Sequence, residues 1–174
     1  MNRVIGIFIG ISFLVGFSVP PKMEKKIDKE ISSIFSIESF QKEVISVEET
    51  LQQELSVSFQ GESFQKILVD SSVIGFFYYG YAPSKTDTFD FVVIFDSEFI
   101  VKKIKVLAYR EDYGGEIGST RWLRQFNDLN TTDAVTYGKE IKAISGATIS
   151  ASSMTIAVNN LLKSLEILRN KKAL

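Results

Sequence analysis

Cysteine and histidine are both absent from this 174-residue chain. Disulfides, zinc sites of the usual kinds, Cys or His nucleophile systems, a Ser-His-Asp triad and c-type haem attachment are therefore excluded. Redox chemistry, if there is any, falls to a bound cofactor. An excess of either charge is missing too. Twenty Lys and Arg stand against 21 Asp and Glu, for a formal net charge of −1 and a pI near 5.6. That balance gives no electrostatic case for nucleic acid. Apolar and aromatic mass is what the chain does have. Hydrophobic residues make up 45%, with 14 Phe and 6 Tyr, enough for the core of one ordinary domain plus an N-terminal segment.

Charge is absent locally as well, from Val4 to Val19, directly after Arg3. A lone arginine before a short uncharged run is the pattern of a secretory signal or a short membrane anchor, since a spanning helix usually needs about 20 residues. Residues 1–19 are read this way, cleaved or retained, and they imply export to the cell envelope. Residues 20–62 read as a linker and helical extension. Pro20 and Pro21 break the preceding helix, and Lys22, Lys25, Lys26 and Lys29 suit a solvated linker more than a lipid contact. Ile27, Ile31 and Phe35 recur every four residues, as on a short amphipathic helix. A strand within Phe40 to Val47 and a short helix to Leu55 follow.

Residues 63–174 read as one α+β domain: an antiparallel sheet with helices at one side, preceded by the signal or anchor helix. Ile67 to Val69 and Val73 to Tyr81 have strand composition, the second closed by Ala82-Pro83-Ser84. Phe89 to Phe95 and Ile100 to Ala108 form a hairpin about Asp96-Ser97-Glu98, one face buried and the other partly wet. A helix from Thr120 to Asp128 carries Trp122, Leu123 and Phe126, and Ala134-Val135 begins a short strand toward Gly138. Met154, Ala157, Val158, Leu161, Leu162, Leu165 and Leu168 make the buried stripe of a closing helix. Asn159, Lys163, Ser164 and Glu166 take its outer face.

Two loops carry the candidate chemistry. Ser145-Gly146-Ala147-Thr148 stands before the closing helix, where unpaired N–H groups and the positive end of the dipole suit a phosphate. An ordinary hydroxyl N-cap explains the same residues. The other loop holds Gly114, Gly115 and Gly118, and its backbone can approach a planar ring or simply turn.

Lys142-Ala143-Ile144-Ser145-Gly146-Ala147-Thr148-Ile149-Ser150 resembles the FMN-attachment motif of the FMN-binding domain family. That family includes the flavin-carrying subunits of the sodium-translocating NADH:quinone reductase and of the Rnf electron-transport complex. Its pattern is Asp-x-x-Ser/Thr-Gly-Ala-Thr, with the last Thr esterified to the FMN phosphate by a separate flavin transferase. The match makes Thr148 the acceptor hydroxyl, and Lys142 stands where the family has Asp. Glu111 to Gly118 is similar to the family's Glu-Thr-Pro-Gly-x-Gly loop. Glu111 matches its Glu, Gly114 and Gly118 match its glycines around an insertion, and Asp112 and Tyr113 replace its Thr-Pro.

The resemblance implies cofactor-binding residues Thr148, Ser145, Gly146, Ala147, Ser150, Glu111, Gly114, Gly115, Glu116, Ile117 and Gly118. It implies an extracytoplasmic, membrane-associated FMN protein that relays electrons, with a flavin transferase and membrane electron-transfer proteins as partners. No catalytic acid–base pair and no metal set stand out, which suits a carrier or oxidoreductase subunit more than a complete enzyme. A stand-alone FMN-dependent oxidoreductase and a cofactor-free envelope interaction module remain the alternatives.

Overall fold

The computed structural model describes residues 18–174. The expected signal or anchor therefore lies almost wholly outside the described residues. Among those residues no helix is long and apolar enough to cross a membrane.

Helix α1 (Pro21–Phe35) opens with Pro21 in its first turn, where a missing N–H costs nothing and a fixed φ helps. Strand β1 (Gln41–Val44) and a single helical turn, α2 (Glu49–Gln52), follow. Four longer strands come next: β2 (Phe64–Val69), β3 (Ser72–Pro83), β4 (Thr88–Asp96) and β5 (Val101–Ala108). All five pair antiparallel in chain order β1-β2-β3-β4-β5, with Phe64 opposite Tyr78, Tyr78 opposite Val93 and Val93 opposite Ile104. Short helix α3 (Thr120–Leu123) and the long α4 (Thr148–Asn170) complete the chain.

Helices cover both faces of the sheet, which corrects the expectation of helices at one side. Phe76, Tyr78, Phe91, Val93 and Phe95 pack under Met154, Val158, Leu161, Leu162, Leu165 and Leu168 of α4. Phe77, Tyr79, Val92 and Ile94 form a second cluster, closed by Ile27 and Ile31 of α1. The wet face expected of the β4–β5 hairpin is therefore dry along β4, where Phe89 to Phe95 are all buried. On β5 the polar residues answer α1 with charge: Lys103 and Lys105 reach Glu30 at 2.5 and 3.8 Å.

Two further expectations change. Ala134-Val135 begins no strand, and the segment holds one isolated bridge, Tyr137 to Ile141. Asn159 instead clips this loop to α4, accepting from the Val135 N–H at 3.0 Å and donating to its carbonyl at 2.7 Å. Ser164 is fully buried rather than outward. Its Oγ accepts from the N–H groups of Ser56 and Val57 at 3.0 and 3.3 Å and donates to the Asn160 carbonyl at 2.8 Å. Ser164→Ala leaves those N–H groups without that acceptor, and the expected loss of stability is about 1–3 kcal/mol. A urea midpoint lowered at constant slope would show it; an unmoved midpoint would remove the clamp from the account.

Candidate functional site

The groove of interest begins at the first turn of α4. Gly146 takes a left-handed φ of +79°, which lets the chain reverse into Ala147. Ala147 precedes the helix with φ −130° and ψ 27°, and no side chain caps the N-terminus. The hydroxyl-cap explanation is thereby overturned. The N–H groups of Thr148, Ile149 and Ser150 find no backbone or side-chain acceptor among the described residues, whereas Ala151 N–H already bonds the Ala147 carbonyl at 2.9 Å. Three donors left unpaired among the described residues, at the positive end of a 23-residue helix, suit an anion. Thr148 itself is exposed, while Ser150 is buried and shares a 3.1 Å hydrogen bond with the Tyr109 hydroxyl.

The facing wall leaves β5 as Tyr109 to Gly114. Arg110 fastens it with a two-pronged pair to Asp90, 2.7 and 3.2 Å, plus a bond to the Thr88 carbonyl at 2.9 Å. Gly114 has φ +79°, and a Cβ there would stand 2.9 Å from the Ala147 Cβ and 3.0 Å from the Gly146 carbonyl. The two loops singled out in the sequence thus touch, and only glycine lets them.

Glu111 does not offer a free carboxylate to this groove. It accepts from the Ser84 hydroxyl and the Thr86 N–H, both at 2.6 Å, from the Thr86 hydroxyl at 2.9 Å and from the Asp87 N–H at 3.3 Å. These donors, the Ser84 hydroxyl first, hold its pKa down at about 2, against an ordinary 4.5. The latch orders the β3–β4 turn, whose Lys85 stands on the groove rim. Because the folded pKa is depressed, the stabilisation is present above about pH 4.5 and disappears as pH falls toward 2. Thermal melts between pH 5 and 2.5 should therefore fall less steeply in Glu111→Gln than in the parent chain. Parallel slopes would sink this reading.

The groove measures about 370 Å³ and is lined by Lys85, Tyr109, Glu111, Tyr113 and the run Gly146 to Ser150. Of the residues expected to bind cofactor, Thr148, Gly146, Ala147, Ser150 and Glu111 meet there, and Gly114 packs against its floor. Ser145 is exposed outside the lining. Gly115, Glu116, Ile117 and Gly118 form a 3-10 turn away from it, with the Ile117 side chain fully buried in the core. Lys142 also lies apart. Its backbone is held by the Trp122 indole at 2.7 Å and by Gln125 at 2.9 Å, while its side chain borders a neighbouring hollow with Arg121 and Trp122. Sequence reasoning assigned no role to Lys85, Tyr109, Tyr113 or Ile149; Tyr109 and Tyr113 lie in or beside the glycine-rich loop and Ile149 inside the Lys142–Ser150 motif, whereas nothing local pointed to Lys85.

Residues 85–163 match the family model described as FMN-binding domain. This stretch is an FMN-binding domain. Its cofactor is FMN. The groove fits that group: uncapped helix donors and a lysine for the phosphate, and backbone brought close by Gly114. The FMN-binding domain contains β4, β5, both loops and most of α4, and its sheet continues without a break into β1–β3, outside the match. No curated protein matches the chain.

Proposed function

We propose that this protein is an extracytoplasmic, membrane-associated carrier that passes electrons through FMN anchored at Thr148. The observation behind the site is the uncapped start of α4. There the N–H groups of Thr148, Ile149 and Ser150 receive the phosphate, the Lys85 ammonium balances its charge, and the Thr148 Oγ is the atom that carries an ester bond to phosphorus. A separate flavin transferase makes that bond by moving the FMN phosphoryl group from an activated flavin phosphoanhydride: the anhydride P–O bond breaks, the nucleoside phosphate leaves, and the Thr148 hydroxyl gives up its proton.

FMN supplies the electron exchange. The chain's own residues bind and orient it: Gly114 and Gly146 bring the backbone close, the Ser150–Tyr109 pair holds one wall, and exposed Tyr113 and Ile149 leave the groove open. An open groove with no acid–base pair suits relay between proteins more than reaction on an enclosed substrate. The uncharged run from Val4 to Val19 supports delivery to the envelope, where membrane electron-transfer proteins are the partners.

The test uses protein recovered from its native envelope. Flavin fluorescence that stays with the denatured band, on a peptide containing Thr148, supports the reading. Flavin released on denaturation rejects the ester and keeps the carrier. Protein without flavin overturns both.

A further inference from the structure

A second cleft, of about 390 Å³, lies elsewhere among the described residues, between the 56–63 loop, β3 and the exposed side of α4. Volumes of this order are typical of small-molecule sites. It shares no lining residue with the Thr148 groove. Ser153, Ile156 and Asn160 of α4 form one wall at helical spacing, and Val57 faces them from the loop. No charged side chain lines it.

Its most telling feature is Tyr78. The residue is 9% exposed and packs its ring among Phe59 and Phe91, at 5.6 and 6.3 Å between centroids. Its ring lies over Gly80, where a Cβ would meet Tyr78 ring and hydroxyl atoms at 2.6 to 3.1 Å. Gly80 therefore makes room for the Tyr78 ring in the cleft wall. The hydroxyl makes no hydrogen bond to a described residue and is not among the sealed, unpartnered polar atoms, so it opens onto the cleft as a donor that a ligand can meet. Burial pushes its pKa up to about 12, so it stays a neutral O–H donor across the physiological range.

We propose that this cleft binds an uncharged, planar aromatic molecule bearing a carbonyl oxygen, which accepts the hydrogen bond that the Tyr78 hydroxyl lacks. Aromatic and aliphatic walls take the ring face, and Ser153 and Asn160 answer its polar edge. A charged ligand finds no counter-charge among the lining side chains. The occupant sits beside the flavin anchor, because Ser153 follows Thr148 by about 7.5 Å of helix. Binding here goes beyond the flavin reading and stands without it.

The probes are ethyl coumarin-3-carboxylate, an uncharged bicyclic carbonyl compound, and its anionic parent acid. Both are titrated into the labelled full-length chain, with and without FMN, and followed by amide NMR shifts. The ester should shift Val57, Gly80, Ile156 and Asn160 saturably and leave Thr148 to Ser150 unmoved. Tyr78→Phe keeps the ring, and it should weaken the ester about fivefold. That variant should fold as well as the parent, since it keeps the buried ring and removes a hydroxyl that bonds no described residue. The acid should bind about tenfold more weakly or worse, for want of a counter-charge. Shifts confined to the Thr148 groove, no saturation at millimolar ester, equal binding of the acid, or no effect of Tyr78→Phe would each overturn the proposal. FMN loading, read separately by absorbance, tells this failure from failure of the flavin reading.

Discussion

Thr148→Val should abolish denaturation-resistant flavin completely while leaving the fold in place. Valine keeps the branched shape and loses only the hydroxyl, at an exposed position in the first turn of α4. The ester needs that oxygen and no neighbouring hydroxyl has its setting. Ser150 is buried against Tyr109, and Ser145 lies outside the groove lining. The helix donors and Lys85 remain in the variant, so reversible FMN binding should persist. Thr148→Ser restores the hydroxyl and should restore attachment. Denaturing electrophoresis with flavin fluorescence reads all three proteins. Undiminished fluorescence in Thr148→Val would move the anchor to another residue, and failure of Thr148→Ser to recover it would point to shape rather than the hydroxyl.

Gly114→Ala should damage the fold and the groove together with a single methyl group. Its Cβ would press against the Ala147 Cβ at 2.9 Å and the Gly146 carbonyl at 3.0 Å, with the Tyr109 hydroxyl also at 3.0 Å. Backbone and short side chains cannot swing away as a long flexible chain would, so overpacking costs about 1–3 kcal/mol. The left-handed φ of +79° adds about 1–2 kcal/mol for any residue with a Cβ. Relief comes only by parting the loops, which separates Tyr109 and Tyr113 from the start of α4. Lowered urea stability and weaker FMN binding should therefore appear together. Gly115→Ala is the control, since nothing lies within 4 Å of a Cβ there and its φ is unexceptional. Equal behaviour of the two variants would show that the close approach carries no weight.

Local chemistry determined much of this protein without any fold to consult. Met154 to Leu168 announced α4 because its apolar residues recur with the period of a helix, and the structure buries that stripe against the sheet. Strands β3, β4 and β5 were legible in their β-branched and aromatic runs. The turn residues Asp96 to Glu98 and the glycines of both loops stood where the chain reverses. The motif from Ser145 to Thr148 named FMN, and the family match over 85–163 agrees.

Tertiary structure alone decided which groups meet. A helix pattern in residues 21–35 does not say that Ile27 and Ile31 will dry the second face of the sheet. A serine at 164 reads as outward until Ser56 and Val57, more than a hundred residues earlier, present their N–H groups to it. Glu111 carries its charge in any sequence reading, yet only the folded hairpin spends that charge on Ser84 and Thr86 and so holds Lys85 on the lining of the groove that Thr148 also lines. Ile117 sits among groove-forming residues in sequence and goes to the core instead. Periodicity records the two neighbours a residue has along the chain. Which partner fills a hydrogen bond or covers a face depends on contacts across the sheet, and those exist only once every strand has found its register.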